Sequence, residues 1–438
     1  MKRIIICLSL LASLPGLAQN APWSLKDCIN YALEHNLNVQ KSQLTVEQRE
    51  VELDNARGRR LPGVSASASE NLSFGRGLTE DNTYSNSNTT STSFALGGDI
   101  PIFQGFDINN SIKIGKLNLE SATADLEKAR DDIRVAVAQA YVQILYNQEI
   151  LKVAHQQREH DAELLEQVKE RLNAGKVSSA EVSAQQATLA QSTQSEIQAE
   201  GNLNISVLEL TQLLELPSPE GFSIVTPEVG NVSQMLLMRP EAIFAEAVEI
   251  KPAVESAKIG VESAKLDIDR AKGAYLPSLS LSGGLGSNYY TNSKMPSLSF
   301  GEQLKNNFSQ YIGLNLNIPI FQRFSVRNQV RNAQLNYRGQ QLNLENVRKS
   351  LYKEIQQAYY NAVNAQARYS GSEQSALSAL EHYQMTEEKY KVGKAGIADY
   401  NDARNNWLKA ESEHIQARYQ CLYQTKLLDF YRGAELQF

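Results

Sequence analysis

Four stretches of the chain alternate between apolar and small polar residues with a period of two. The apolar positions are Val64, Ala66, Ala68, Leu72 and Phe74, then Phe94, Leu96 and Ile100, then Leu279, Leu281 and Leu285, and finally Ile312, Leu314, Leu316 and Ile318. This period is typical of β-strands with one apolar and one polar face. We predict strands at about 62–76, 91–103, 277–290 and 308–321. Polar segments such as 79–93 are predicted to be the loops within each strand pair.

Helical periodicity covers most of the remaining sequence. After each strand pair, apolar residues recur at intervals of three and four for roughly 65 residues, which corresponds to a helix of about 100 Å. Each long helix is predicted to break at a glycine, Gly175 or Gly393, because glycine readily adopts positive φ, and a second helix then returns. A further helix precedes each strand pair. Ser24 and Asp27 form a capping-box pattern at the start of the first one.

This order of elements occurs twice. The septet IPIFQGF at Ile100–Phe106 returns as IPIFQRF at Ile318–Phe324, 218 positions later, and other segments match at offsets of 215 or 218. Repetition at a fixed offset indicates a duplicated structural unit. The prolines and glycines between the copies argue against a continuous helix there. The predicted domains are a first repeat at 19–216, an inter-repeat linker at 217–240, a second repeat at 241–433 and a C-terminal tail at 434–438.

The N-terminal residues, MKRIIICLSLLASLPGLAQ, have the pattern of a secretory signal peptide, with two basic residues ahead of a short apolar run. We predict cleavage after Ala18, so that residues 1–18 form the signal peptide. Removal of Lys2 and Arg3 leaves 41 basic and 49 acidic residues, a net charge of −8. This charge and the lack of a basic stripe argue against a nucleic-acid partner.

The sequence carries no catalytic or cofactor motif. A nucleophile elbow, a phosphate-binding loop and a cysteine zinc pattern are missing, and GGLG at 283–286 falls in a predicted strand. His155 and His160 are five residues apart, which differs from the i, i+4 spacing of a helical metal site. We therefore expect no enzyme activity, no cofactor and no metal. For the cysteines that remain after cleavage, Cys28 and Cys421, one disulfide and two free thiols are both open.

The predicted strands have the length and the amphipathicity of membrane-spanning strands, although a periplasmic β-sandwich covered by helices would show the same alternation. The septets favour the membrane, because they place aromatic residues, the usual anchors at a bilayer rim, where a strand meets a long helix. A proline in each septet is predicted to stop strand pairing there. The residues of these strand–helix junctions are Pro101, Phe103 and Phe106, and Pro319, Phe321 and Phe324.

Four strands are too few for a membrane barrel, since closure takes at least about eight. Open strand edges in lipid leave backbone groups unpaired, at a cost of several kcal/mol each. The membrane interpretation therefore requires an oligomer, and the strand count alone allows two, three or four chains. A different class of function, a non-conducting periplasmic coiled-coil scaffold or tether, would not need amphipathic strands.

The sequence resembles the TolC family of outer-membrane efflux ducts over nearly the whole mature chain. The resemblance rests on the start SLKDCINYALEHN, the two Leu-Pro strand entries, the two IPIFQ strand exits and the paired segments RLNAGKVSSAEV and KYKVGKAGIADYNDA. It implies a mainly α-helical homotrimer whose membrane strands form a 12-stranded β-barrel, continued by an α-helical barrel in the periplasm. It also implies a passive channel of a tripartite efflux or secretion system. The implied partners are a periplasmic adaptor (membrane fusion) protein, an inner-membrane pump and outer-membrane lipid.

The same resemblance assigns a closed periplasmic gate to the second glycine break. Asp399 and Asp402 would face the pore, and because they are one helical turn apart, three chains would form two stacked carboxylate rings. A solvated helix start would also favour acidic residues at these positions, through the helix dipole. Both interpretations of the two aspartates stay open in the sequence.

The resemblance further implies a contact between Tyr390 and Glu181 that helps to close the gate. An arginine expected from the family pattern is replaced by Ala395, so the latch is expected to be weaker or to run through Lys394. The adaptor protein would contact both hairpin tips. The tip residues are Gly175, Lys176, Gly393 and Lys394.

Overall fold

The structure, a computed structural model, describes residues 22–78, 82–227 and 237–437, so the predicted signal peptide lies outside it. These ranges contain nine helices and four strands. The helices are α1 (Leu25–His35), α2 (Leu37–Gly58), α3 (Asp107–Asn173), α4 (Ser179–Leu213), α5 (Pro240–Ile250), α6 (Pro252–Gly273), α7 (Phe300–Asn306), α8 (Ser325–Lys391) and α9 (Ile397–Tyr431). The strands are β1 (Gly63–Leu78), β2 (Tyr84–Gln104), β3 (Ser278–Asn292) and β4 (Ser309–Asn317).

The four strands form one antiparallel sheet in the order β1-β2-β3-β4. Residues that pair directly lie on the same face of a sheet, so the register joins the apolar positions into rows. One such row contains Ile100, Leu281 and Leu314. The predicted period of two is therefore confirmed, with all four strands turning their apolar positions to one face. Most of that face is exposed in the single chain, where Ile312 is 85% exposed. At one end α7 packs against it, and the Phe300 ring lies 6.4 Å from the Phe94 ring and 5.0 Å from the Tyr289 ring.

The strand pairs are less regular than the alternation predicts. β2 begins at Tyr84, so most of the predicted polar loop 79–93 is strand; this part lacks apolar alternation, although its Thr residues fit a pleated backbone. The segment between β3 and β4 contains α7, whose start is capped reciprocally by Ser299 and Glu302. β4 ends at Asn317, so the prediction of strand for residues 318–321 is wrong.

Pro101 does not stop strand pairing as predicted. β2 continues past it to Gln104, and its register against β3 shifts between Pro101 and Phe103. Proline lacks an N–H, and a bulge is where a sheet tolerates that loss. Pro319, in contrast, lies outside β4 and follows the end of that strand by two residues.

Both septets lead into the same turn before the long helix. Two consecutive residues adopt positive φ, Gly105 (59°) with Phe106 (65°) in the first copy, and Arg323 (50°) with Phe324 (61°) in the second. Each turn folds an aromatic ring back onto the preceding phenylalanine, with 5.2 Å between the ring centroids in the first copy and 5.6 Å in the second. The edge-on geometry of both pairs is favourable for aromatic rings. The duplicated septets therefore encode a duplicated turn.

The helix that precedes each strand pair is broken into two helices. α1 ends at His35 and α5 ends at Ile250, and the residues that follow, Asn36 and Lys251, have extended backbones. Pro252 accounts for the second break, because proline disfavours the helical conformation of the residue before it. At the first break, the Asn36 side chain donates to the Leu213 carbonyl at 3.0 Å. The capping box of Ser24 and Asp27 at the start of α1 is confirmed.

The predicted long helices and their returning partners are present in both copies. α3 and α8 each contain 67 residues, and α4 and α9 each contain 35. In the described part of the chain, no helix combines the length and the hydropathy that a membrane span needs.

The contacts within the chain divide it into two units, each built from both repeats. The sheet-containing unit comprises Leu44–Ala124 and Glu255–Asn346. The tip-containing unit comprises the residues up to Gln43, then Asp125–Val254, then the residues from Val347 onward. The two repeats therefore interleave rather than folding as separate domains.

The tip-containing unit has a core that joins distant parts of the sequence. Trp23 forms a parallel bridge with Ile224 of the inter-repeat linker, and the Tyr141 hydroxyl of α3 donates to the Val225 carbonyl at 2.6 Å. Cys28 and Cys421 are both buried and both free, so the disulfide that the sequence left open is not formed. Burial raises the pKa of the Cys28 thiol to about 12, which keeps it protonated.

Candidate functional site at the hairpin tips

The two hairpin tips have the same backbone geometry. Gly175 and Gly393 adopt φ values of 69° and 73°. The lysine after each glycine donates its backbone N–H five residues back; Lys176 reaches the Arg171 carbonyl at 2.9 Å, and Lys394 makes the equivalent bond at 2.7 Å. This hydrogen bond is typical of a helix end at which the residue before the donor, here the glycine, has positive φ. The predicted breaks at glycine are confirmed, and both lysine side chains are exposed.

An acidic residue caps the helix that follows each tip. The Glu181 carboxylate accepts the Ser178 N–H at 3.4 Å, and the Asp399 carboxylate accepts the Gly396 N–H at 3.2 Å. Asp399 therefore stabilises the first turn of α9 in addition to any other role. Asp402 lies one turn further along α9, and both aspartates are exposed. Two neighbouring carboxylates are thus available to solvent or to a passing ion.

Behind the tips, an aromatic and apolar cluster joins the two hairpins of the chain. Its buried members are Leu164 and Val168 of α3, Tyr390 of α8 and Tyr400 of α9. The rings of Tyr390 and Tyr400 are stacked with 5.0 Å between their centroids. Ala395, which is partly buried, packs against this cluster. The residue in place of the expected arginine therefore contributes packing and no charge.

The ring of Tyr390 contacts the guanidinium group of Arg171 from the first-copy hairpin. The guanidinium carbon of Arg171 is 5.1 Å from the centroid of the Tyr390 ring, within the range of a cation–π interaction. Burial raises the pKa of Tyr390; the Arg171 charge opposes this shift and the Glu181 charge adds to it. Since the Glu181 carboxylate caps its own helix, its contact with Tyr390 stays a prediction, as does the latch through Lys394.

A buried ion pair fastens α9 to α3. Arg404, one turn beyond Tyr400, is paired with Asp161, and their side chains are 5% and 0% exposed. Arg404 also donates to the Gln157 carbonyl at 3.0 Å. The second carboxylate oxygen of Asp161, Oδ2, has no hydrogen-bond partner among the described residues. The buried charge of Asp161 is therefore balanced by Arg404, and the pair is sensitive to the loss of either member.

A row of hydrogen-bonded and stacked aromatic side chains lies next to this ion pair. His160 Nε2 lies 2.6 Å from the Tyr400 hydroxyl oxygen, which lies 3.1 Å from the Tyr383 hydroxyl oxygen. The Tyr383 ring is stacked on Trp407 at 5.2 Å. Burial, assisted by the Arg404 charge, lowers the pKa of His160, so its imidazole is neutral at pH 7. These contacts connect α3 with both helices of the second hairpin.

Besides Tyr390, which was predicted as a gate residue, four residues that join the hairpins were not predicted as site residues. They are Arg171, His160, Asp161 and Arg404. One signal was present in the sequence, because at the offset of 218 Tyr400 matches Val182 and Arg404 matches Gln186. Within two copies of similar sequence, this change from valine and glutamine to tyrosine and arginine falls where the two copies contact each other.

The fold defines a class of protein. Each repeat supplies a strand pair with an exposed apolar face and a hairpin with a helix of 67 residues. These are the elements that the resemblance to the TolC family implies for an outer-membrane channel with a long periplasmic extension.

The chain belongs to the outer membrane efflux protein family, whose sequence profile matches residues 28–215 and 244–433. It is 26% identical to outer membrane protein TolC of Salmonella enteritidis over 362 residues, which cover 78% of this chain and 70% of that protein. The crystal structure of CusC matches with a TM-score of 0.78 at 17% identity and covers 95% of both chains. The CmeC outer membrane channel of Campylobacter jejuni matches with a TM-score of 0.77 at 21% identity, covering 94% of this chain and 86% of CmeC.

These comparisons confirm the resemblance to the TolC family and the predicted outer-membrane location. The family and the matching structures are channel proteins and not enzymes. The chain is accordingly an outer-membrane efflux protein with a long periplasmic extension.

Proposed function

We propose that three copies of the chain form one passive duct from the periplasm to the cell exterior, as the outer-membrane part of a tripartite efflux or secretion system. Each copy would supply β1–β4 to a 12-stranded barrel and its long helices to an α-helical barrel below it. A periplasmic adaptor protein and an inner-membrane pump would deliver the substrate. The open, one-sided sheet of the single chain is the observation that carries this proposal.

The sheet has two free edges and an apolar face that is exposed over most of its length, with α7 packed against one end of it. β1 and β4 each pair on one side only within the described part of the chain. In lipid, those edges would leave backbone groups unsatisfied, whereas pairing β1 of one copy with β4 of the next removes every edge. The opposite face carries Ser65, Gly97 and Ser282, small residues that suit a water-filled lumen. The choice of three copies over two or four follows the resemblance to the TolC family.

The test is to isolate the mature protein from outer-membrane extracts in detergent. We expect an oligomer of three chains that resists dodecyl sulfate until heated, conducts ions in planar bilayers and cross-links to a periplasmic adaptor in cells. A soluble periplasmic monomer without conductance would support the tether and contradict the duct. Stable dimers or tetramers with conductance would correct the copy number alone.

The hairpin tips are proposed as the periplasmic gate and as the adaptor contact. The two tips share one geometry and expose Lys176 and Lys394, so three copies would present six similar tips to an adaptor. Asp399 and Asp402 are exposed on α9 beside the second tip, where three copies would place six carboxylates around the axis. Rings of carboxylates attract cations and repel anions.

Replacing both Asp399 and Asp402 with Asn should lower cation selectivity several-fold and change single-channel conductance in bilayers. Asn keeps an oxygen that can accept the Gly396 N–H, so the start of α9 should persist. Asp27→Asn is the matched control, since it removes a capping carboxylate that accepts the Ser24 N–H at 3.1 Å at the start of α1, and it should leave cation selectivity unchanged. Unchanged selectivity in the double variant would remove both aspartates from the lumen.

A further inference from the structure

Basic side chains surround a cavity beside the strand–helix junction of the first copy. The cavity has a volume of ≈ 880 Å³ and lies in the sheet-containing unit. Its lining includes one acidic residue, Asp269, and five basic ones. The basic residues are Arg57, Arg60, Lys113, Lys116 and Lys272. In a chain whose net charge is −6, this concentration of positive charge is local to the junction.

The unbalanced positive charge of the cavity comes from Arg60 and from two lysines of α3. Arg57 is paired with Asp54 at 2.8 Å, and Lys272 is paired with Asp269 at 3.3 Å. The ammonium groups of Lys113 and Lys116 are exposed and form no ion pair with any described residue. They are three residues apart, so they lie on the same side of α3. An anion that enters the cavity would meet three cations whose charge is not already neutralised by a described carboxylate, since Arg60 donates to the neutral Asn109 side-chain oxygen at 2.6 Å.

Apolar side chains line the same cavity. Phe106 and Leu276 are 55% and 41% exposed in the chain, and both border the cavity. Phe106 follows the end of β2 by two residues, and Leu276 precedes the start of β3 by two. The cavity is therefore continuous with the end of the sheet, where lipid acyl chains would meet headgroups. Exposed Phe and Leu side chains gain free energy when an apolar group covers them.

The strand–helix junction of the second copy is also positively charged, although its basic residues do not match those of the first copy. The first 20 residues of α8, 325–344, contain three arginines and no acidic residue. Arg327, Arg331 and Arg338 are all exposed and recur at helical spacing. Cations near a helix N-terminus are disfavoured by the helix dipole, so helix stability does not account for them. Both junctions are thus basic, and the cavity beside the second one, which Phe324 and Arg327 line, has a volume of ≈ 190 Å³.

We propose that the cavity beside α3 binds the phosphate headgroup of an anionic glycerophospholipid from the periplasmic leaflet of the outer membrane. The phosphodiester would lie between Lys113 and Lys116, with Arg60 within reach, and the acyl chains would extend past Phe106 and Leu276. This placement rests on the proposed function only in requiring that the sheet be inserted in the membrane. Basic residues next to an anionic membrane surface each contribute to the attraction of its lipids.

The test uses the purified full-length protein in detergent and measures bound lipid by native mass spectrometry. Phosphatidylglycerol is expected to be retained and phosphatidylcholine to be lost. The double variant K113Q/K116Q should bind phosphatidylglycerol about 10- to 30-fold more weakly, given the contribution expected of each cation. K128Q/K152Q, which removes two exposed lysines further along the same helix, should bind like the wild type. Glycerol phosphate, which lacks acyl chains, should not displace the lipid.

The outcomes separate this site from the proposed duct. Equal retention of both lipids, or equal loss in the two double variants, would overturn the lipid site while trimer formation and conductance remain. Displacement by glycerol phosphate would identify a soluble phosphate ligand and also contradict the lipid. Failure of the wild-type protein to form a conducting oligomer would count against the duct itself, whatever lipid is bound.

Discussion

Replacing Arg404 with Met is expected to destabilise the contact between α3 and α9 by about 3–5 kcal/mol. Asp161 is fully buried and its charge is balanced by Arg404, so the variant would leave a buried carboxylate without its counter-ion. The remaining carboxylate must then be protonated or the helices must separate to admit water. Hydrogen exchange of the amides in α3 around residue 161 and in α9 around residue 404 would measure the loss as faster local opening.

A second variant separates the charge from the packing. The double replacement D161L/R404M removes both charges and keeps apolar volume, and it should recover much of the lost protection, because an isosteric apolar pair can replace a buried ion pair. The matched surface control is Lys391→Gln, which breaks the exposed contacts with Glu387 and Glu388 and should leave exchange unchanged. If R404M exchanged no faster than this control, the ion pair would not hold the hairpins together.

Replacing Gly105 with Ala is expected to prevent assembly of the membrane sheet, with a cost of at least about 3 kcal/mol. A Cβ atom at Gly105 would lie 2.1 Å from the backbone oxygen of Gly273, and Gly105 has a φ of 59°. Neither backbone can yield without separating the start of α3 from the end of α6. The same distance is found when a Cβ is added to Gly273, so G273A should fail in the same way.

Other glycines provide the matched controls for this prediction. A Cβ added to Gly58 or Gly339 meets no atom within 4 Å, and neither residue has positive φ. G339A lies inside α8 and should be neutral or stabilising by up to about 1 kcal/mol, since alanine favours helix. The measurement is the yield of the proposed heat-modifiable oligomer in outer-membrane extracts. Normal assembly of G105A would show that the two backbones do not approach each other this closely.

The sequence predicted the parts of the fold that depend on local periodicity. Alternation of apolar and small polar residues predicted four strands and their common apolar face, and the three-to-four spacing predicted the long helices. It did not predict that β2 begins at Tyr84, because Ser, Thr and Asn pair through their backbones without leaving an apolar pattern. The helix break at Asn36 and the helix α7 were not predicted for a related reason. The break is stabilised by a hydrogen bond to Leu213 and α7 by a capping box, and neither produces a hydrophobic pattern.

Some residues of the candidate site could likewise be predicted from the sequence, and others could not. Gly175 and Gly393 could be assigned to the tips from sequence, because positive φ is a local requirement that glycine meets. The partner of Arg404 could not be assigned, because Asp161 is 243 residues away and a charged residue on a helix is most often solvated.

The sequence by itself thus determined the elements, their duplication and the membrane-facing pattern, all of which follow from the spacing of residues along one segment. Only the tertiary structure decided which side chains are buried between segments, which edges of the sheet stay open and where positive charge gathers around a cavity. The physical reason is that burial and charge pairing depend on which residues are neighbours in space. The neighbours of Arg404 and Gly105 come from distant parts of the sequence, and Lys113 lines a cavity that exists only in the folded chain.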